Sequence, residues 1–94
     1  MIVYQDLLAI DLKKIIRKVV DRISKEMPSL IIHERVLEVS IDPDLDLLYI
    51  RFDKDKEAAL GEYIGEYIHV FSDGGRVIAV EITPFSKFMR ELKA

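Results

Sequence analysis

Between Leu12 and Met27 apolar residues recur at every third or fourth position, and from Leu37 onward they recur at every second one. That change of period restricts the chain more than any motif in it. A period near 3.6 turns one stripe of an α-helix toward a core, and a period of 2 does the same for one face of a sheet. The helical stripe comprises Leu12, Ile15, Ile16, Val19, Val20, Ile23 and Met27, with Leu8 one turn earlier. Lys13, Lys14, Arg17, Lys18, Asp21, Arg22 and Lys25 occupy the opposite arc. The spacing predicts an amphipathic helix over 7–27, with Asp6 or Asp11 as its cap and Pro28 as its stop.

The period-2 region, 36–82, reads as strands joined by turn chemistry. Leu37, Val39 and Ile41 alternate with Glu38 and Ser40, and Leu48, Ile50 and Phe52 alternate with Leu47, Tyr49 and Arg51. Between them, Asp42-Pro43-Asp44-Leu45-Asp46 has the composition of a turn. The stretch 57–64 suits either a helix, through Ala58, Ala59 and Leu60, or an edge strand, through Gly61 and Gly65. Tyr67 to Ser72 is again strand-like. Asp73-Gly74-Gly75 predicts a tight hairpin, because glycine accepts the positive φ such a turn needs. Ile78, Val80 and Ile82 then share a face. Thr83-Pro84 reads as cap and first residue of a last helix over 84–92, with Phe85, Phe88, Met89 and Leu92 as its stripe.

These elements predict one α+β domain: an N-terminal amphipathic helix, an antiparallel β-meander of four or five strands, and a short C-terminal helix. Ninety-four residues, half of them hydrophobic and a third charged, suffice for one core and exclude a disordered chain. No apolar run approaches the roughly 20 residues that span a bilayer. Met1 to Asp6 lacks the basic region and cleavage site of a secretory signal, so a cytoplasmic location is expected. Cysteine is absent, which removes disulfides and thiolate chemistry. Asn is absent too, and Gln5 is the single Gln among many charged residues, a thermophile-like balance.

The net charge of −3 conceals two opposite ends. Residues 1–25 carry six Lys/Arg against three Asp, whereas 26–94 carry eight against fourteen Asp/Glu. The basic helix face, Lys14, Arg17, Lys18 and Lys25 foremost, has no aromatic residue for base stacking, and the chain is acidic overall. Nucleic acid is therefore not the expected partner. A membrane surface is not expected either, since the apolar stripe lacks Trp and Phe and is needed to cover the sheet.

Asp42-Pro43-x-x-Asp46-x-Leu48-Tyr49-Ile50, the turn Asp73-Gly74-Gly75-Arg76, and Val80-Glu81-Ile82 together resemble a widespread prokaryotic family of small proteins classed as a domain of unknown function. That family is built around a D-P-x-x-D-x-L-Y-I hairpin and a G-R-x-x-G-I-E-I strand, and the resemblance covers residues 36–83. It implies a compact β-meander with no established activity. It also implies an antitoxin or accessory role, since members are sometimes found as partners of small toxin-like proteins. Ala79 stands where the family usually has Gly, and Val70 and Ser72 replace acidic residues. The basic helix lies outside the resemblance.

Asp42, Asp44 and Asp46 have the spacing that opens a calcium loop, but Leu47 replaces its glycine and Asp53 its final glutamate. A hairpin turn explains them better. Tyr49, Arg51, Tyr67, His69 and Glu81 are expected to form a polar patch on the second sheet face, with acid–base potential if they converge in a cleft. No nucleophile–base spacing accompanies them, so no enzyme is expected. His33 and His69 lie far apart and form no zinc motif, so neither a metal nor another cofactor is expected. The second face also keeps Leu47, Phe71 and Val77, more apolar than a solvated face needs. The chain thus reads as a non-enzymatic protein-interaction module, most simply a homodimer packed through that face or through Phe85, Phe88 and Leu92. The alternatives are an antitoxin-like protein binding a small basic partner, and a weak metal-binding or hydrolytic protein.

Overall fold

The computed structural model describes residues 12–33, 35–54, 57–58 and 60–93, without the side chains of 92 and 93. Helix α1 spans Leu12–Glu26. Strands β1 (Glu38–Asp42), β2 (Leu47–Arg51), β3 (Leu60–Ile64), β4 (Ile68–Asp73) and β5 (Arg76–Ile82) follow, and helix α2 (Phe85–Lys93) closes the chain. The α+β architecture expected from the two periods is present. The part of the first helix expected over 7–11 lies outside the described residues. Of the ambiguous stretch 57–64, residues Leu60–Ile64 form strand β3, which pairs along its full length with β4.

All five strands form one antiparallel sheet in the order β1-β2-β5-β4-β3. Strands β3, β4 and β5 make a meander. β5 then pairs with β2 rather than lying at an edge, which places the last strand in the middle of the sheet. Gly74 and Gly75, with φ of 57° and 79°, form the two-residue turn expected between β4 and β5. A positive φ at both central positions matches the twist of the flanking strands.

Both helices cover the same side of this sheet. Ile15, Val19 and Ile23 of α1 and Phe85, Phe88 and Met89 of α2 join Leu48, Ile50, Ile68, Val70, Val80 and Ile82 in a single core. The C-terminal aromatics are thus core residues. Phe85 and Phe88 are buried, which corrects the expectation of an interface through that helix, and the side chain of Leu92 lies outside the described residues. Leu37, assigned by alternation to the covered face, is 48% exposed just ahead of β1.

A bulge in β5 corrects a second assignment. Phe71 pairs with Ala79 but Ser72 pairs with Val77, so Ile78 is the extra residue on that strand. Past the bulge the alternation is displaced by one. Val77 therefore belongs to the core, and Ile78 lines a cavity on the opposite face.

Asp46 ties the first turn to the last helix. Its carbonyl accepts from Phe85 N at 2.7 Å, and its Oδ1 accepts from Ser86 N at 2.9 Å. The Ser86 hydroxyl donates to Oδ2 of the same carboxylate. Two of the amides left orphaned at a helix start are satisfied from forty residues away, rather than by Thr83. Asp46 also has a φ of 50°, a left-handed conformation that Asp and Asn tolerate better than Ala. Asp46→Ala is expected to lower the unfolding free energy by about 2 kcal/mol in urea titrations, since it loses the cap and strains the backbone. Asp46→Asn, which keeps the Oδ1 acceptor and the tolerated φ, should lose less than half of that.

Candidate functional site

The site begins with alternation. Residues of β2, β4 and β5 that turn away from the helices lie in two cross-strand rows. Register places Ser40, Tyr49, Glu81, His69 and Tyr63 in one row, and Glu38, Arg51, Ala79, Phe71 and Gly61 in the next. Neither helix crosses these rows, because both apolar stripes are committed to the other side.

The rings on this face touch. His69 stacks on Tyr63 with centroids 4.1 Å apart and an interplanar angle of 13°. Phe71 leans on His69 at 4.2 Å and 41°. Gly61 makes room for the imidazole, since a Cβ there would lie 2.8 Å from His69 Nε2. On the other side of β5, Arg51 donates to the Tyr49 hydroxyl at 3.1 Å and to the Asp53 carbonyl at 2.8 Å. These bonds hold the guanidinium flat along the strand.

Between the ring stack and Arg51 the face is hollow. Ala79 is the small residue opposite both Arg51 and Phe71, and a cavity of about 420 Å³ opens above it. Ile78, Ala79 and Phe71 supply apolar wall, while Tyr49, Arg51, Glu57 and Glu81 supply polar groups. Such a mixture suits an amphipathic occupant with an apolar body and a polar end.

Four of the five residues expected in the polar patch share this face: Tyr49, Arg51, His69 and Glu81. Tyr67 does not. It lies in the turn before β4, packs against the core and donates its hydroxyl to Glu91 Oε1 of α2 at 2.9 Å. Its pKa is raised from 10.0, chiefly because that hydrogen bond to Glu91 favours the neutral phenol. Of the expected interface residues, Leu47 and Phe71 are half-buried, whereas Val77 is in the core. Tyr63, Ile78 and Ala79 were absent from the expected site. The signal for Tyr63 was the Gly61-x-Tyr63 alternation in a stretch open to a helical interpretation; nothing local announced the bulge.

The three turn aspartates are engaged elsewhere. Asp42 Oδ1 accepts from Asp44 N and Leu45 N at 3.0 and 3.2 Å, an Asx-type turn, and Asp46 caps α2. Among the described residues no three His, Asp or Glu side chains converge as metal ligands. Lys14, Arg17, Lys18 and Lys25 lie exposed on α1, on the far side of the molecule from the open rows. Arg22 approaches Glu26 at 3.9 Å, both well exposed, a contact of small energetic value. Among the described residues no helix is long and apolar enough to cross a membrane.

No family model, curated protein or solved structure matches the chain.

Proposed function

We propose that this chain is a non-enzymatic interaction module that self-associates through the sheet face its helices leave open. The observation that supports this most is the run of touching rings Tyr63, His69 and Phe71, beside a hollow at Ala79 that Phe71 and Tyr49 help to line. An antiparallel sheet with one solvated face normally alternates apolar with polar residues. Here the outward positions carry, beside Glu38, Ser40 and Glu81, three touching rings and an Arg, and aromatic residues and Arg are enriched where protein surfaces meet. His69 is clamped between two rings and Arg51 is laid along its strand, an arrangement better suited to a preformed surface than to proton transfer.

Sedimentation equilibrium tests it on the full chain. At submillimolar concentration the expected mass is twice the 10.9 kDa of the chain. Phe71→Glu, which sets a charge among the rings and beside Glu81, should return the protein to a monomer with little change in its melting temperature. A wild-type chain that stays monomeric overturns the proposal, as does a Phe71→Glu variant that dimerises like wild type.

A further inference from the structure

The open face carries a projection as well as a hollow. Tyr63 is 64% exposed although its ring is stacked on His69, so it stands above the sheet in a fixed place. The hollow above Ala79 lies two strands away, with β4 between, and one side-chain row along. With strands about 4.8 Å apart and a rise of about 3.4 Å per residue, projection and hollow are separated by about 12 Å. Their midpoint falls on β4, between His69 and Phe71.

This geometry has a consequence for two copies stacked face to face. A two-fold axis lying between the sheets, over the midpoint between His69 and Phe71 and perpendicular to the line from Tyr63 to Ala79, exchanges the two positions. It carries Tyr63 of each copy onto Ala79 of the other. A two-fold interface requires this reciprocity, because one patch must complement itself. We infer that the occupant of the Ala79 hollow is Tyr63 of a second copy of this chain, inserted in both directions across a two-fold interface.

The chemistry of the hollow agrees. A tyrosine ring meets Ile78, Ala79 and Phe71, and its hydroxyl reaches the polar groups of Glu57 and Glu81, which accept its proton in a hydrogen bond. The stack of Tyr63 on His69 orders the projection before contact, which lowers the entropy lost on association. The arrangement presupposes the self-association proposed above and specifies its contact.

Two substitutions test it by complementation. Tyr63→Ala removes the projection, and Ala79→Phe fills the hollow on the solvent side of the sheet. Each variant alone should self-associate at least about tenfold more weakly than wild type, because each dimer loses the contact twice. Mixed together, they should form a heterodimer in preference to either homodimer. One contact in it is native, and in the other the truncated position 63 faces the filled position 79. The variants differ in mass, so native mass spectrometry counts the three species, and circular dichroism melts check that each chain is folded. Ala79→Leu serves as the filling variant should the larger ring unfold the sheet. A mixture with no excess of heterodimer overturns the inserted-tyrosine contact. Single variants that dimerise as tightly as wild type overturn it too, while self-association itself stands. A monomeric wild type overturns both.

Discussion

Phe85→Ala is expected to lower the unfolding free energy by about 3–5 kcal/mol, a large part of the total for a domain of this size. Phe85 is 1% exposed, at the point where α2 meets the sheet, and its ring lies 6.4 Å from that of Phe88. Truncation removes apolar area and leaves a cavity that the capped helix start cannot close. Its backbone amide is held by the Asp46 carbonyl, which restricts how far α2 can settle inward. The expectation separates core from interface. An interfacial ring would cost association and spare the monomer's stability, whereas a core ring costs stability at any concentration. Urea unfolding followed at several protein concentrations decides between them.

Ile23→Ala is the second large effect, about 2–5 kcal/mol by the same measurement. Ile23 is wholly buried and sits at the C-terminal end of the α1 stripe formed with Ile15 and Val19. Leu37→Ala provides the contrast. Alternation places Leu37 in the same core, but its 48% exposure implies a change within about 0.5 kcal/mol. Equal losses at the two positions would mean that Leu37 packs where alternation put it.

The pair also shows where local pattern stops being informative. Ile23 lies inside a helix whose period repeats four times, so the stripe direction is overdetermined. Leu37 is one residue ahead of β1, and a strand's end can turn aside without losing the ladder that begins at Glu38. The second sheet face was legible to a similar degree. Tyr49, Arg51, His69 and Glu81 follow from period 2 alone, because each lies between residues that must be buried. Tyr67 obeys the same parity and still leaves the face, since the turn before β4 and the bond to Glu91 redirect it. Val77 and Ile78 exchange roles for a comparable reason: one inserted residue reverses every assignment beyond it.

By itself the sequence determined the two periods, and with them two helices, a sheet with a covered and an open face, and the Gly74-Gly75 hairpin. These are local properties, set by which side chains repeat at helical or strand spacing and by which residues accept a positive φ. The tertiary structure alone decided that β5 lies between β2 and β4, that both helices take the same face, and that Asp46 caps a helix forty residues away. Those outcomes depend on distant segments burying their apolar stripes against one another, and no short window of sequence contains both partners. The hollow at Ala79 has the same origin. It exists because a small residue on a central strand falls opposite Arg51 on one neighbour and Phe71 on the other.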